Sequence, residues 1–142
     1  MKYENPSPYR WKIRGGIRTP FGRAKGALSS LRPFDLARQT VDELLSRLEV
    51  GPSRIESVIF CTGMPETLPP HPARVLANLL GFPPSCLCFS ITEGVVSPFL
   101  ALQAVGFEAN TLLVVGADSA SWAIGKTIEG AIHAIIKPIN NI

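Results

Sequence analysis

Residues 33–62 read PFDLARQTVDELLSRLEVGPSRIESVIFCT, and this stretch decides the fold. Pro33 and Asp35 mark a helix start. Leu36, Ala37, Val41, Leu44, Leu45 and Leu48 then recur at spacings of three and four, which puts them on one helical face. Gly51-Pro52 stops the helix. Ser57 to Thr62 is a short apolar run rich in β-formers and predicts a buried strand. A one-sided helix leading into a strand buried on both faces is the unit of an α/β sheet.

The same alternation continues outward. After a loop over 63–70, Pro72 suits the first turn of a second helix, with Val75, Leu76, Leu79 and Leu80 on its apolar face and Gly81 as its stop. Cys86 to Ile91 predicts another strand, and Pro98 to Val105 has helical spacing. Leu112 to Gly116 (LLVVG) is the most strand-like run of the chain. Toward the N-terminus, Trp11 to Gly16 predicts a short strand. Residues 18–32 carry too much Gly and Pro for a regular element and predict an ordered loop. The expected class is α/β, a mostly parallel sheet of about four or five strands flanked by helices. Residues 1–10 read as an arm, and 124–142 as a tail of different character with one further helix ending before Pro138.

Composition excludes several function classes. The chain has 142 residues, 46% of them hydrophobic and 18% charged, enough apolar content for one ordinary core. No apolar run reaches the length of a membrane span, and the N-terminus lacks the apolar core of a secretory signal, so a soluble, cytoplasmic chain is expected. The net charge is +3, unevenly spread. Lys2, Arg10, Lys12, Arg14, Arg18, Arg23, Lys25 and Arg32 face a single acid, Glu4, in the first 32 residues. No nucleic-acid-binding module accompanies them, so no nucleic-acid partner is expected. The three cysteines, Cys61, Cys86 and Cys88, sit in apolar stretches. Their spacing matches no common zinc or redox pair, and no metal is expected.

Particular motifs then become recognisable. Arg18-Thr-Pro-Phe-Gly-Arg23, followed by Gly26-Ala-Leu and Arg32-Pro-Phe-Asp-Leu-Ala37, resembles the N-terminus of the thiolase family. In the same order, Val58-Ile-Phe60 resembles that family's second strand, and His71-Pro-Ala-Arg74 its Asn-Pro-Ala-Arg helix start. Val114-Val-Gly-Ala117 before Ser119 resembles the strand and turn after the nucleophile helix. The resemblance covers residues 10–123. It implies the N-terminal portion of a layered αβα domain and acyl exchange between acyl-coenzyme A and coenzyme A, with coenzyme A a substrate and no resident cofactor. A nucleophilic cysteine at a helix start would take the acyl group, with a histidine and a second cysteine from the C-terminal half moving protons.

The departures from that pattern bear on activity. Counted from His71-Pro-Ala-Arg74, the nucleophile column falls on Val95, with Ser97 at the motif serine and Pro98 replacing its glycine. Counted back from Leu100–Val105, the column falls on Ile91. Neither residue can form a thiolate, so no catalytic nucleophile is assigned. Cys88 reads as a strand thiol with Ser90 nearby, Ser97 as a helix cap, and Glu93 as a loop acid near the column. His71, at a helix start, reads as a cap or interface residue, and Asp118 as a cap or turn residue. Three functional expectations follow. The first is a thiolase-like acyltransferase by descent, silent as an isolated chain. The second is a non-catalytic partner that pairs with itself or with a thiolase-type subunit, because family dimers associate through this region. The third is coenzyme A or nucleotide phosphate binding by the basic loop Arg18–Arg32.

Overall fold

The structure, a computed structural model, describes residues 12–23, 25–65, 70–92 and 111–119. Helix α1 spans Pro33–Arg47, strand β1 Ser57–Cys61, helix α2 Pro72–Leu79, strand β2 Leu87–Ile91 and strand β3 Leu112–Gly116, with a single 3-10 turn at Pro52–Arg54. The sheet order is β2-β1-β3, and both pairings are parallel. The α/β class and the parallel sheet therefore stand, with three strands and two helices among the described residues.

The register assigns every sheet residue to a face. Val58 pairs with Cys88 on one side and with Leu113 on the other. On that face Val58, Phe60, Leu113 and Val115 join Phe34, Ala37, Val41 and Leu45 of α1 and Ala73, Leu76 and Ala77 of α2 in one buried cluster. Phe34 and Phe60 stack with ring centroids 5.6 Å apart. Among the described residues both helices thus lie on the same face. The opposite face carries Ile59 and Cys61, both buried, against partly buried Phe89, Ile91, Leu112 and Val114. The central strand is buried at all five positions, which is why it reads as a continuous apolar run.

Both helices start as the sequence predicts. Pro33 occupies the first turn of α1 behind Arg32. Asp35 accepts from the Arg32 backbone N–H at 3.1 Å and from its guanidinium at 3.1 and 3.2 Å, so the acid of the first turn ties back to the residue before the helix. Both helices also stop by the same device. Phe82 N–H donates to Ala77 O and Gly81 N–H to Asn78 O, with Gly81 at φ 69°. Val50 N–H donates to Leu45 O and Glu49 N–H to Ser46 O, with Glu49 at φ 53°. These are Schellman ends with a left-handed residue closing each helix. The α1 helix therefore ends before Gly51-Pro52, and a glutamate holds the position glycine would fill most easily.

Two expectations need correction. The strand expected at Trp11 to Gly16 is absent over its described residues, 12–16, which are exposed to solvent. A strand forms only where a neighbour completes its hydrogen bonds, and Gly15 packs instead on the Leu48 side chain, where an added Cβ would stand 3.0 Å from a methyl carbon. Second, His71 holds the cap position of α2 but its side chain makes no capping hydrogen bond. The sheet has three strands among the described residues. The expected helices over 98–105 and before Pro138, and the arm and tail at 1–10 and 124–142, lie outside the described residues.

Candidate functional site

In open α/β sheets the chemistry gathers beyond the carboxyl ends of the strands. Here those ends are Cys61–Thr62, Ile91 and Gly116–Ser119. Asp118 ties two of them together. Its Oδ1 accepts from the Thr62 hydroxyl at 2.7 Å, from Gly63 N–H at 2.8 Å and from Met64 N–H at 3.1 Å. The Thr62 hydroxyl oxygen also accepts from Met64 N–H at 3.1 Å. A carboxylate oxygen with three donors fixes the turn after β1 against the end of β3. Asp118 acts as the expected turn residue, though the turn it shapes is the one after the neighbouring strand. The next residue, Ser119, donates to Leu31 O at 3.0 Å and ties β3 to the segment before α1.

That segment forms the second wall. Residues 25–31 make successive tight turns, with Gly26 N–H to Arg23 O at 2.9 Å, Ser29 N–H to Gly26 O at 3.0 Å and Leu31 N–H to Leu28 O at 3.1 Å. A Cβ on Gly26 would stand 2.8 Å from Arg23 O, so the turn requires glycine there. Gly22 is pressed on Leu28. The Arg18 guanidinium lies 5.4 Å from the centre of the Phe21 ring, which is itself 95% exposed. Between this loop, α1 and β3 lies a cavity of about 550 Å³, floored by Leu36, Leu44, Leu113 and Val115, with Arg18 and Arg23 at its rim.

The thiols are not poised for attack. Cys61 and Cys86 are buried, and burial pushes each thiol up to about 11. Cys88, half-buried, is also raised, first by burial, with the Arg74 charge opposing. A reactive cysteine needs the opposite arrangement, a lowered pKa and an exposed sulfur. Arg74 is engaged elsewhere, donating to Cys86 O at 2.7 Å. Ser90, beside Cys88, accepts from Ala73 N–H at 2.8 Å. It caps α2 from the neighbouring strand, a role no sequence reading assigned. The signal was present, since Ser90 falls on the helix-facing side of an alternating strand.

Ile91 closes β2 opposite Cys61, and its carbonyl accepts from Thr62 N–H at 3.0 Å. Val95, Glu93, Ser97 and Pro98 lie outside the described residues. Among the described residues no group of three or more His, Cys, Asp and Glu is arranged to hold a metal ion, and no helix is long and apolar enough to cross a membrane.

The parallel sheet with both described helices on one face defines an α/β protein, and the comparisons make the family explicit. Residues 12–126 match the family model described as "Thiolase, N-terminal domain". The chain belongs to the thiolase family. It is 34% identical over 123 residues to acetyl-CoA acetyltransferase 1 of Arabidopsis thaliana, covering 84% of this chain and 30% of that protein. It is 33% identical over 119 residues to the 3-ketoacyl-CoA thiolase of Escherichia fergusonii, covering 79% and 27%. The solved acetyl-CoA acetyltransferase of Syntrophomonas wolfei superposes with a TM-score of 0.56 at 26% identity, over 61% of this chain and 22% of that one. The chain thus spans about 30% of the length of the relatives it matches.

Proposed function

We propose that this chain is the framework of a thiolase-type acyltransferase acting on acyl-coenzyme A, and that it does not itself carry the acyl group. The observation behind this reading is the state of its thiols. The sequence holds three cysteines, and each is packed in or beside a strand with its proton held more tightly than in water. Covalent acyl transfer needs a thiolate that attacks the thioester carbon and expels coenzyme A. Free thiols with no disulfide partner suit a reducing compartment, which supports a cytoplasmic placement. The test is intact-mass spectrometry after incubation with acetyl-coenzyme A. No acyl adduct is expected. An adduct on Cys61, Cys86, Cys88 or Ser97 would overturn the reading.

A second reading, of a non-catalytic partner for itself or for a thiolase-type subunit, is favoured by the sheet. Strand β3 is an edge strand among the described residues, and edge strands invite pairing. Light scattering on the chain alone, and mixed with a full-length acetyl-CoA acetyltransferase, tests it. A complex larger than either species alone supports it. Strict separation at high concentration rules it out.

A further inference from the structure

Two thiols at strand β2 stand together on one side of the sheet. Cys86 leads into the strand and Cys88 lies within it, so side chains two residues apart leave the same face. Both pack with the cluster that α1 and α2 cover. The Cys88 Sγ donates to Cys86 O at 3.4 Å, which folds the second sulfur back over the first residue. The two thiols are within hydrogen-bonding reach of each other. Cys61 is the contrast, buried on the opposite face of the sheet, which neither of the other cysteines shares.

A fixed positive charge faces the pair. The Arg74 guanidinium donates to Cys86 O at 2.7 Å and to Pro84 O at 3.5 Å, and its charge favours the thiolate form of both sulfurs.

Strand geometry decides what the pair can hold. Same-face neighbours along a strand sit about 6.6 Å apart. A disulfide needs Cα atoms within about 6.8 Å and sulfurs roughly 2 Å apart, so it would close only at the end of its range. A two-coordinate metal ion spans twice a metal–sulfur bond of roughly 2.3 Å, and bridges the sulfurs without moving the strand. Zinc takes four ligands, and no group of three or more candidate ligands occurs among the described residues. The spacing argument against zinc and redox pairs therefore does not touch a linear site.

We propose that Cys86 and Cys88 form a linear, two-coordinate site for a soft monovalent cation of the cuprous or silver kind, with Arg74 balancing the charge of the complex. Binding is a ligand exchange. Two S–H bonds break, two sulfur–metal bonds form, both protons go to solvent, and no electron is transferred. A monovalent ion between two thiolates carries one net negative charge, which the Arg74 guanidinium offsets. Thiolate ligands select such an ion over magnesium or calcium, which take oxygen. The site is independent of the acyl-transfer reading, since neither sulfur attacks a thioester.

Silver ion, which is redox-silent here, is the probe. It is titrated into the full, reduced chain in chloride-free buffer with free cysteine in excess, and followed by native mass spectrometry. One silver per chain should survive the competitor. Cys88→Ser should weaken binding by roughly 100-fold, because the second sulfur no longer acts within the same molecule. Cys88 is half-buried, and circular dichroism checks that this variant folds, with Cys88→Ala as the second variant. Cys61→Ser should bind as the parent does. Arg74→Gln should weaken binding by about tenfold, and Arg74→Lys should retain most of it. The Leu87 N–H, which donates to Glu56 O at 2.9 Å, should exchange at the same rate with and without silver. Loss of silver to free cysteine from the parent, equal retention by Cys88→Ser, dependence on Cys61, or silver shared between two chains would each overturn the proposal.

Discussion

Asp118 and Ser57 are two polar side chains at the sheet with opposite energetics. The Asp118 carboxylate collects three donors, two of them backbone N–H groups of one turn. Asp118→Ala leaves those donors to solvent or to nothing, and should cost about 1–2 kcal/mol in urea unfolding, with Asp118→Asn recovering part of the loss. The Ser57 hydroxyl is buried without any hydrogen-bond partner. Removing an unsatisfied hydroxyl releases a desolvation penalty, so Ser57→Ala should leave stability unchanged or raise it by up to about 1 kcal/mol. The thiols add a pH dependence. Cys61 and Cys86 rise from 9.0 to about 11 on folding because burial disfavours the thiolate. Below pH 9.0 both states hold the proton and stability is unaffected. As pH climbs from there to about 11, the unfolded chain ionises first, so the contribution of these thiols is lost through that window. Cys61→Ala should flatten the fall measured by denaturation at a series of alkaline pH values.

At the scale of elements, the two helix ends form a matched pair. Both close with the same hydrogen-bond pattern, one on Gly81 and the other on Glu49. A side chain at positive φ costs energy that glycine avoids. Glu49→Gly should therefore stabilise the protein by about 0.5–1 kcal/mol, and Gly81→Ala should destabilise it by a similar amount. Thermal melts of the two variants beside the parent test both signs at once. The Glu49 end also shows where sequence reading stops short. Helical spacing through Leu48 and the Gly51-Pro52 pair both pointed to a stop near residue 51. The local hydrogen bonds end the helix at Arg47 because a glutamate adopts the left-handed turn, and no residue-type rule reports that. The α1 apolar face was legible as a set, but not in its division. Ala37, Val41 and Leu45 are buried against the sheet, while Leu36 and Leu44 are half-buried on the cavity side. Period 3.6 marks one broad stripe, and only the position of β3 splits it. The Trp11–Gly16 stretch failed for a related reason. Its residue types suit a strand, but strand formation depends on a neighbour that local sequence does not specify.

For the whole molecule, what sequence revealed best was what repeats regularly. The buried run of β1, the alternation of helix and strand, and the order of the thiolase-like motifs all carried through to a parallel sheet. The site was legible only in part. The three thiols read correctly as packed side chains because apolar neighbours predict burial. The roles of Asp118 and Ser90 rest on contacts across 54 to 56 and 17 residues of sequence, which no local pattern encodes. Those long contacts converge on one core. A single buried cluster includes residues of α1, β1, α2 and β3, and Phe60, 1% exposed, stacks on Phe34 of α1 from the central strand. Removing that ring should cost about 3–5 kcal/mol, a large share of the stability of a domain this size. Because the cluster is shared, the loss should not stay in β1. In Phe60→Ala, native-state hydrogen exchange should speed up in α1, α2 and β3 together, by the same opening free energy. If protection fell in β1 while α1 kept its parent rates, the helices and sheet would be separate cooperative units, and the one-core account would be wrong.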